Sequence, residues 1–169
     1  MHMLDRKKEL HFQEIHMPKF LAPKSLSLDN GLEIYTIEGG AQELCRLDIV
    51  FEAGSKFQSK KLQAGICNAM LLEGTALIEG EEIHERLDFY GAYTQLDVNS
   101  DRAVVSLYTL NKYFHKVLPV FIDAVQNATF PKEAFEIALE QKKQSFTINS
   151  EKVDFKARNA FFGTLFEDH

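Results

Sequence analysis

Tryptophan is absent, and the 169 residues hold only two cysteines and four prolines. Cys45 and Cys67 sit in the runs Leu44-Cys45-Arg46-Leu47 and Ile66-Cys67-Asn68-Ala69. Two such cysteines do not make a disulfide scaffold, and they read as buried free thiols in a reducing compartment. A basic excess is also lacking: 19 Lys and Arg stand against 25 Asp and Glu, for a net charge of −6. That balance argues against nucleic-acid and anionic-membrane partners. No apolar run is long enough to cross a bilayer. Residues Met1 to Leu21 carry scattered charge and no apolar h-region, so no signal peptide is visible and a cytoplasmic protein is expected. What is present is globular in kind: 45% hydrophobic and 26% charged residues. The length suits one domain or part of a larger one, and a chain of this size buries about 70% of its unfolded surface.

Periodicity divides the chain. Residues 1–25 mix charge, histidine and two prolines, Pro18 and Pro23, and read as an arm. From Leu26 to Ile37 two alternating runs flank Asp29-Asn30-Gly31, a strong hairpin signal. A third strand is expected over Leu44–Glu52. Leu62, Ile66, Ala69, Met70 and Leu72 then recur at helical spacing, with Gly74 as an expected C-cap. A second helix is expected over Gly80–Tyr90, stopped by Gly91. Alternation returns from Tyr93 to Leu110, broken at Asn99-Ser100-Asp101. Asn111 reads as the cap of a third helix to Asn127, which Pro119 is expected to kink. Pro131 opens a segment helical to about Ile148, and helix resumes from Lys152 to Phe166. Hairpin-linked strands with helices between them predict the α+β class, an antiparallel sheet with helices packed on one face.

The residues alone offer no convincing catalytic constellation. His11 and His16 flank Glu14, but positions five apart differ by about 140° on a helix and face opposite ways on a strand. His84-Glu85 lacks the second histidine of H-E-x-x-H, because Asp88 stands in its place. His115 lies beside the apolar stripe of the third helix and reads as structural, and Cys67 has no neighbouring base in sequence. Nucleophile elbows, P-loops and dinucleotide fingerprints are absent.

Taken in order, several stretches resemble the insulinase/pitrilysin family, which includes the mitochondrial processing peptidases. Leu28-Asp29-Asn30-Gly31-Leu32 resembles its opening hairpin, and Val50-Phe51-Glu52-Ala53-Gly54-Ser55 its "V-x-x-G-S" strand end. Met70-Leu71-Leu72-Glu73-Gly74-Thr75 resembles the end of "H-x-x-E-H-M-L-F-K-G-T". Gly91 to Asp101 resembles "G-G-x-x-N-A-x-T-x-x-D", with Asp101 kept in register. Phe130-Pro131-Lys132-Glu133 and its long helix, then Leu165-Phe166, resemble the approach to "L-F-x-x-H-P-Y". The likeness implies that residues 26–169 are the first portion of a domain that continues past this chain.

The departures decide what the resemblance implies. In active members two histidines one turn apart hold zinc, and the glutamate between them is the general base. Anchored on Met70 and Gly74-Thr75, those positions fall on Gly65, Asn68 and Ala69. The third ligand falls near Ser145, in Gln144-Ser145-Phe146-Thr147, which has no carboxylate. The resemblance therefore implies a non-catalytic member without zinc, a scaffold or peptide-holding subunit partnering an active zinc peptidase homologue or self-associating. The alternative is an active zinc metalloendopeptidase with ligands relocated to His84, Glu85, Glu140 or Glu151. In the family the strand that here reads Tyr93, Gln95, Leu96, Val98 adds a substrate peptide by backbone pairing. Gln95-Leu96 replaces Asn-Ala and Val98 replaces Thr, changes that backbone pairing tolerates.

Overall fold

The computed structural model describes Met17 and residues 19–166; His11, Glu14 and His16 lie outside the described residues. The chain divides into two units, residues 1–42 and 43–169.

In the first unit, β1 (Lys24–Ser27) pairs antiparallel with β2 (Glu33–Thr36), with Leu26 opposite Ile34. The turn between them is the one the sequence marks. Gly31 takes φ +80°, a conformation costly for side chains with a Cβ, and the Asn30 side chain accepts the Leu32 amide at 3.0 Å. The strands are shorter than the alternation suggests, and β2 ends at Thr36, ahead of Glu38-Gly39-Gly40.

The second unit is built on a three-stranded antiparallel sheet in the order β3-β5-β4. Its strands are β3 (Leu44–Phe51), β4 (Tyr93–Val98) and β5 (Ala103–Leu110). Period two sorts their side chains. Leu47 and Ile49 of β3 lie opposite Leu107 and Val105 of β5, and Leu96 of β4 lies opposite Val105. Against this face pack Ile83 and Leu87 of α2 (Gly80–Phe89) and Val117 and Phe121 of α3 (Phe114–Gln126). The architecture is α+β, as expected, with its core between one sheet face and these helices.

Three local readings need correction. The first helix, α1, spans only Gln63–Ala69, and Met70 leaves helical geometry at φ −96°, ψ 1°. Met70 and Leu72 are both buried, and two residues apart they would differ by about 200° on a continuing helix. Gly74 therefore does not cap α1; at φ +140° it forms an isolated bridge with Glu79. Asn111 does not cap α3 with its side chain. A short 3-10 turn, Asn111–Tyr113, precedes that helix, and the Asn111 amide instead reaches the Glu43 carbonyl at 3.1 Å. Pro119 lies within α3, which the structure keeps as one helix. Two further helices, α4 (Lys132–Glu151) and α5 (Val153–Phe166), break at Lys152, whose ψ of 134° is extended. Among the described residues no helix is long and apolar enough to cross a membrane.

Candidate functional site

The positions singled out by sequence lie on α1, a helix of only seven residues. Such a helix does not hold itself and needs outside support. Gln63 supplies some of it, since its side-chain oxygen accepts the Ser59 hydroxyl at 2.9 Å and the Ser59 amide at 3.2 Å. Gln58 accepts the Ala64 amide at 3.3 Å. Neither glutamine stands out in sequence, because these bonds come from turns that only the folded loop defines.

The strongest support comes from Asn68. It is 3% exposed, and its side-chain nitrogen donates to the Asp97 carbonyl of β4 at 3.1 Å and the Val104 carbonyl of β5 at 3.4 Å. Asp97 and Val104 face each other in the sheet, so one amide brackets α1 to both strands. The amide's Oδ1 is buried and, among the described residues, accepts no hydrogen bond. An ideal Cβ at Gly65 would meet nothing within 4 Å, and Ala69 is half-buried. Gly65 and Ala69 carry no donor atom, and the nitrogen of Asn68 is committed to the sheet. This trio does not fit a zinc ion, which needs imidazole, thiolate or carboxylate.

The other candidates are dispersed. Ser145 is exposed on α4. His84 and Glu85 lie on α2, while Glu140 and Glu151 lie on α4, where Glu140 pairs with Lys143 at 3.5 Å. Among the described residues no three His, Cys, Asp or Glu side chains group as a metal site. Cys67 is exposed rather than buried, because the buried faces of α1 are those of Ile66 and Asn68. Cys45 is half-buried, and burial pushes its thiol pKa up.

Among the described residues β4 bonds only to β5, so the strand suggested for peptide pairing is an edge. Asn99 donates to the Arg102 carbonyl at 2.9 Å, continuing the β4–β5 register. By antiparallel alternation the backbone groups of Thr94, Leu96 and Val98 turn toward the free edge. Tyr93 and Gln95 are exposed, whereas Leu96 and Val98 are half-buried. Asp101, just beyond the strand, bonds the Lys56 ammonium, which holds its carboxyl below the usual range.

Behind the core, the opposite sheet face carries a polar row that the sequence analysis does not identify. Asp48 accepts Arg46 at 2.8 Å and the Ser106 hydroxyl at 2.6 Å, and the Arg46 guanidinium lies 5.1 Å from the Tyr108 ring centre. Partial burial opposes ionisation of Asp48, but the bonds from Arg46 and Ser106 outweigh it and lower its pKa. A carboxyl with a folded pKa below its unfolded value of about 3.9 stabilises fully above that value and loses the contribution as pH falls through the folded pKa. Asp48→Asn should therefore lower the urea midpoint at pH 7, with the gap closing below about pH 4. A gap independent of pH would show that the charge of Asp48 contributes nothing.

The comparisons agree with this geometry. The family model described as insulinase (peptidase family M16) matches residues 34–167. The mouse (Mus musculus) mitochondrial cytochrome b-c1 complex subunit 1 is 23% identical over 144 residues, covering 81% of this chain. The chain spans only 30% of that protein's length. A Pseudomonas fluorescens structure described as a peptidase M16 inactive domain superposes with a TM-score of 0.81 at 24% identity, over 88% of this chain and 37% of that one. A Helicobacter pylori protease structure gives 0.69 at 14% identity, over 78% and 32% respectively. The likeness to these structures is one of fold, and the family match covers most of the chain: the protein belongs to the insulinase family, peptidase family M16.

Proposed function

We propose that the chain is part of a non-catalytic insulinase-family protein, a scaffold or peptide-holding subunit that partners an active zinc peptidase homologue. The observation that carries this is the amide of Asn68, which holds α1 to the sheet where active members place their general base. Gly65 and Ala69 beside it leave no ligand for zinc. Two relatives support the reading by their descriptions, one as a subunit of a larger complex and the other as an inactive domain. In this role the free edge of β4 holds an extended peptide by backbone pairing. The surface for partner subunits is the pair α4 and α5, neither of which has a buried residue; Phe146, Phe161, Leu165 and Phe166 stand exposed along them.

Zinc content tests the proposal. Elemental analysis of the dialysed protein should give far less than one zinc per chain, and any trace of peptide cleavage should be indifferent to chelator. Stoichiometric zinc that survives dialysis, with chelator-sensitive cleavage, would instead establish the relocated-ligand peptidase.

A further inference from the structure

A second feature of α1 lies away from Gly65 and Ala69. Between α1 and the N-terminal part of α4 runs an open groove of about 600 Å³. Its apolar lining comes from Leu62, Ile66 and Met70 on one side and Phe130, Phe135 and Leu139 on the other. Gly65 and Ala69 do not line it, and one residue step along α1 turns the surface by about 100°.

Charge and backbone conformation mark this groove out from the other exposed apolar surface of the chain. Lys60, Lys61 and Lys132 line it, and no acidic residue does. Their methylene stems suit an apolar wall while their ammonium groups stay in water. Among the described residues Lys60 and Lys61 form no ion pair, and Lys132 has only an exposed contact with Glu136 at 3.7 Å. Three cations around one apolar trough are notable on a chain of net charge −6. The two non-glycine residues with positive φ among those described, Leu62 at +71° and Phe130 at +53°, both line the groove. L-residues are disfavoured there, and such conformations concentrate where a surface is shaped for a ligand.

We propose that this groove is a docking site for a partner segment in which apolar anchors are flanked by carboxylates. The apolar floor takes the anchors and the three ammonium groups take the acidic flanks, so charge selects the partner and burial holds it. An open trough rather than a closed cavity suits a peptide segment, in the helix-in-groove mode. The proposal stands apart from peptide pairing at β4 and from the absence of zinc, and either of those can fail without affecting it.

Cys67 lines the groove, is exposed, and so serves as a built-in reporter. The probe is a short fluorescent peptide of leucine, phenylalanine and glutamate; its control carries lysine in place of glutamate. The intact chain is titrated with each, following anisotropy and the rate of maleimide labelling at Cys67, resolved from Cys45 by peptide mapping. The glutamate peptide should bind and slow Cys67 labelling several-fold, with binding weakened by added salt. Lys60→Glu with Lys132→Glu should weaken binding about tenfold while leaving the melting temperature unchanged. Equal binding of the lysine peptide, or no protection of Cys67 by either peptide, would overturn the proposal. Labelling that slows as the protein alone is concentrated would place a second copy in the groove and overturn it equally.

Discussion

Met70→Asp should cost about 3–5 kcal/mol, enough to remove a large part of the stability of a domain this size. Met70 is 2% exposed and sits where α1 ends, its amide bonded to the Ile66 carbonyl at 3.1 Å. It forms the floor of the α1–α4 groove, so its side chain joins two elements distant in sequence. At 2% exposure a carboxylate at this position is cut off from water, whereas the lysines that line the groove keep their charges in it. The acid must then be buried ionised or be buried neutral after taking up a proton, and both are costly. Met70→Leu, which nearly conserves volume, should cost less than about 1.5 kcal/mol. Leu77→Asp, at a residue 88% exposed, should change little. Urea midpoints of the three variants check the ranking. A Met70→Asp midpoint near that of Leu77→Asp would show that Met70 does not lie in the packed interior.

What could be read before the structure divides along the reach of the forces involved. The Asp29-Asn30-Gly31 turn and α2 were legible because each is fixed by neighbours a few residues away, whereas the break between α4 and α5 falls at Lys152, later than the expected stop near Ile148. The end of α1 was not legible. Helical spacing continues through Leu72, but the chain leaves the helix so that Met70 and Leu72 can be buried in different surroundings. Asn111 has good capping chemistry, yet its amide is used to tie the end of β5 to the start of β3. In both cases tertiary contacts override a sound local preference.

The candidate site shows the same division. Sequence register identifies Gly65, Asn68 and Ala69 as residues without zinc chemistry. It does not reveal that Asn68 has another task, because its bonding partners lie 29 and 36 residues away in the chain. The groove was equally hidden, since Lys60 and Lys61 meet Lys132 only through the packing of α1 beside α4. For the Asp48 row a sequence signal did exist. Arg46 and Asp48 alternate with Leu47 and Ile49, so β3 has one polar face, and the exposed side of its sheet is where that face must go.

Asn68→Glu should be the most destabilising change on α1, by about 3–5 kcal/mol, because it aims a buried carboxylate at two carbonyl oxygens. Asn68→Ala should cost far less, about 1 kcal/mol, since it loses two bonds but also removes the buried oxygen that has no partner. The alanine change separates a bracket from an idle position, because an idle side chain could be truncated at no cost, whereas glutamate is costly at any site this buried. The same geometry bears on attempts to rebuild the zinc motif. Gly65→His has room, because among the described residues nothing outside the local helix backbone lies within 4 Å of a Cβ at that position. Asn68→Glu added to it breaks the bracket, and Ala69→His must fit a half-buried position. The triple variant Gly65→His, Asn68→Glu, Ala69→His should bind zinc weakly, melt well below the parent and show negligible peptidase activity. Two imidazoles without a third protein ligand near Ser145 fix neither the metal nor its water. Thermal melts, zinc titration and a peptide-cleavage assay on one preparation measure all three. Robust cleavage by a stable triple variant would show that a nearby carboxylate already completes the site and that Asn68 is not the bracket holding α1.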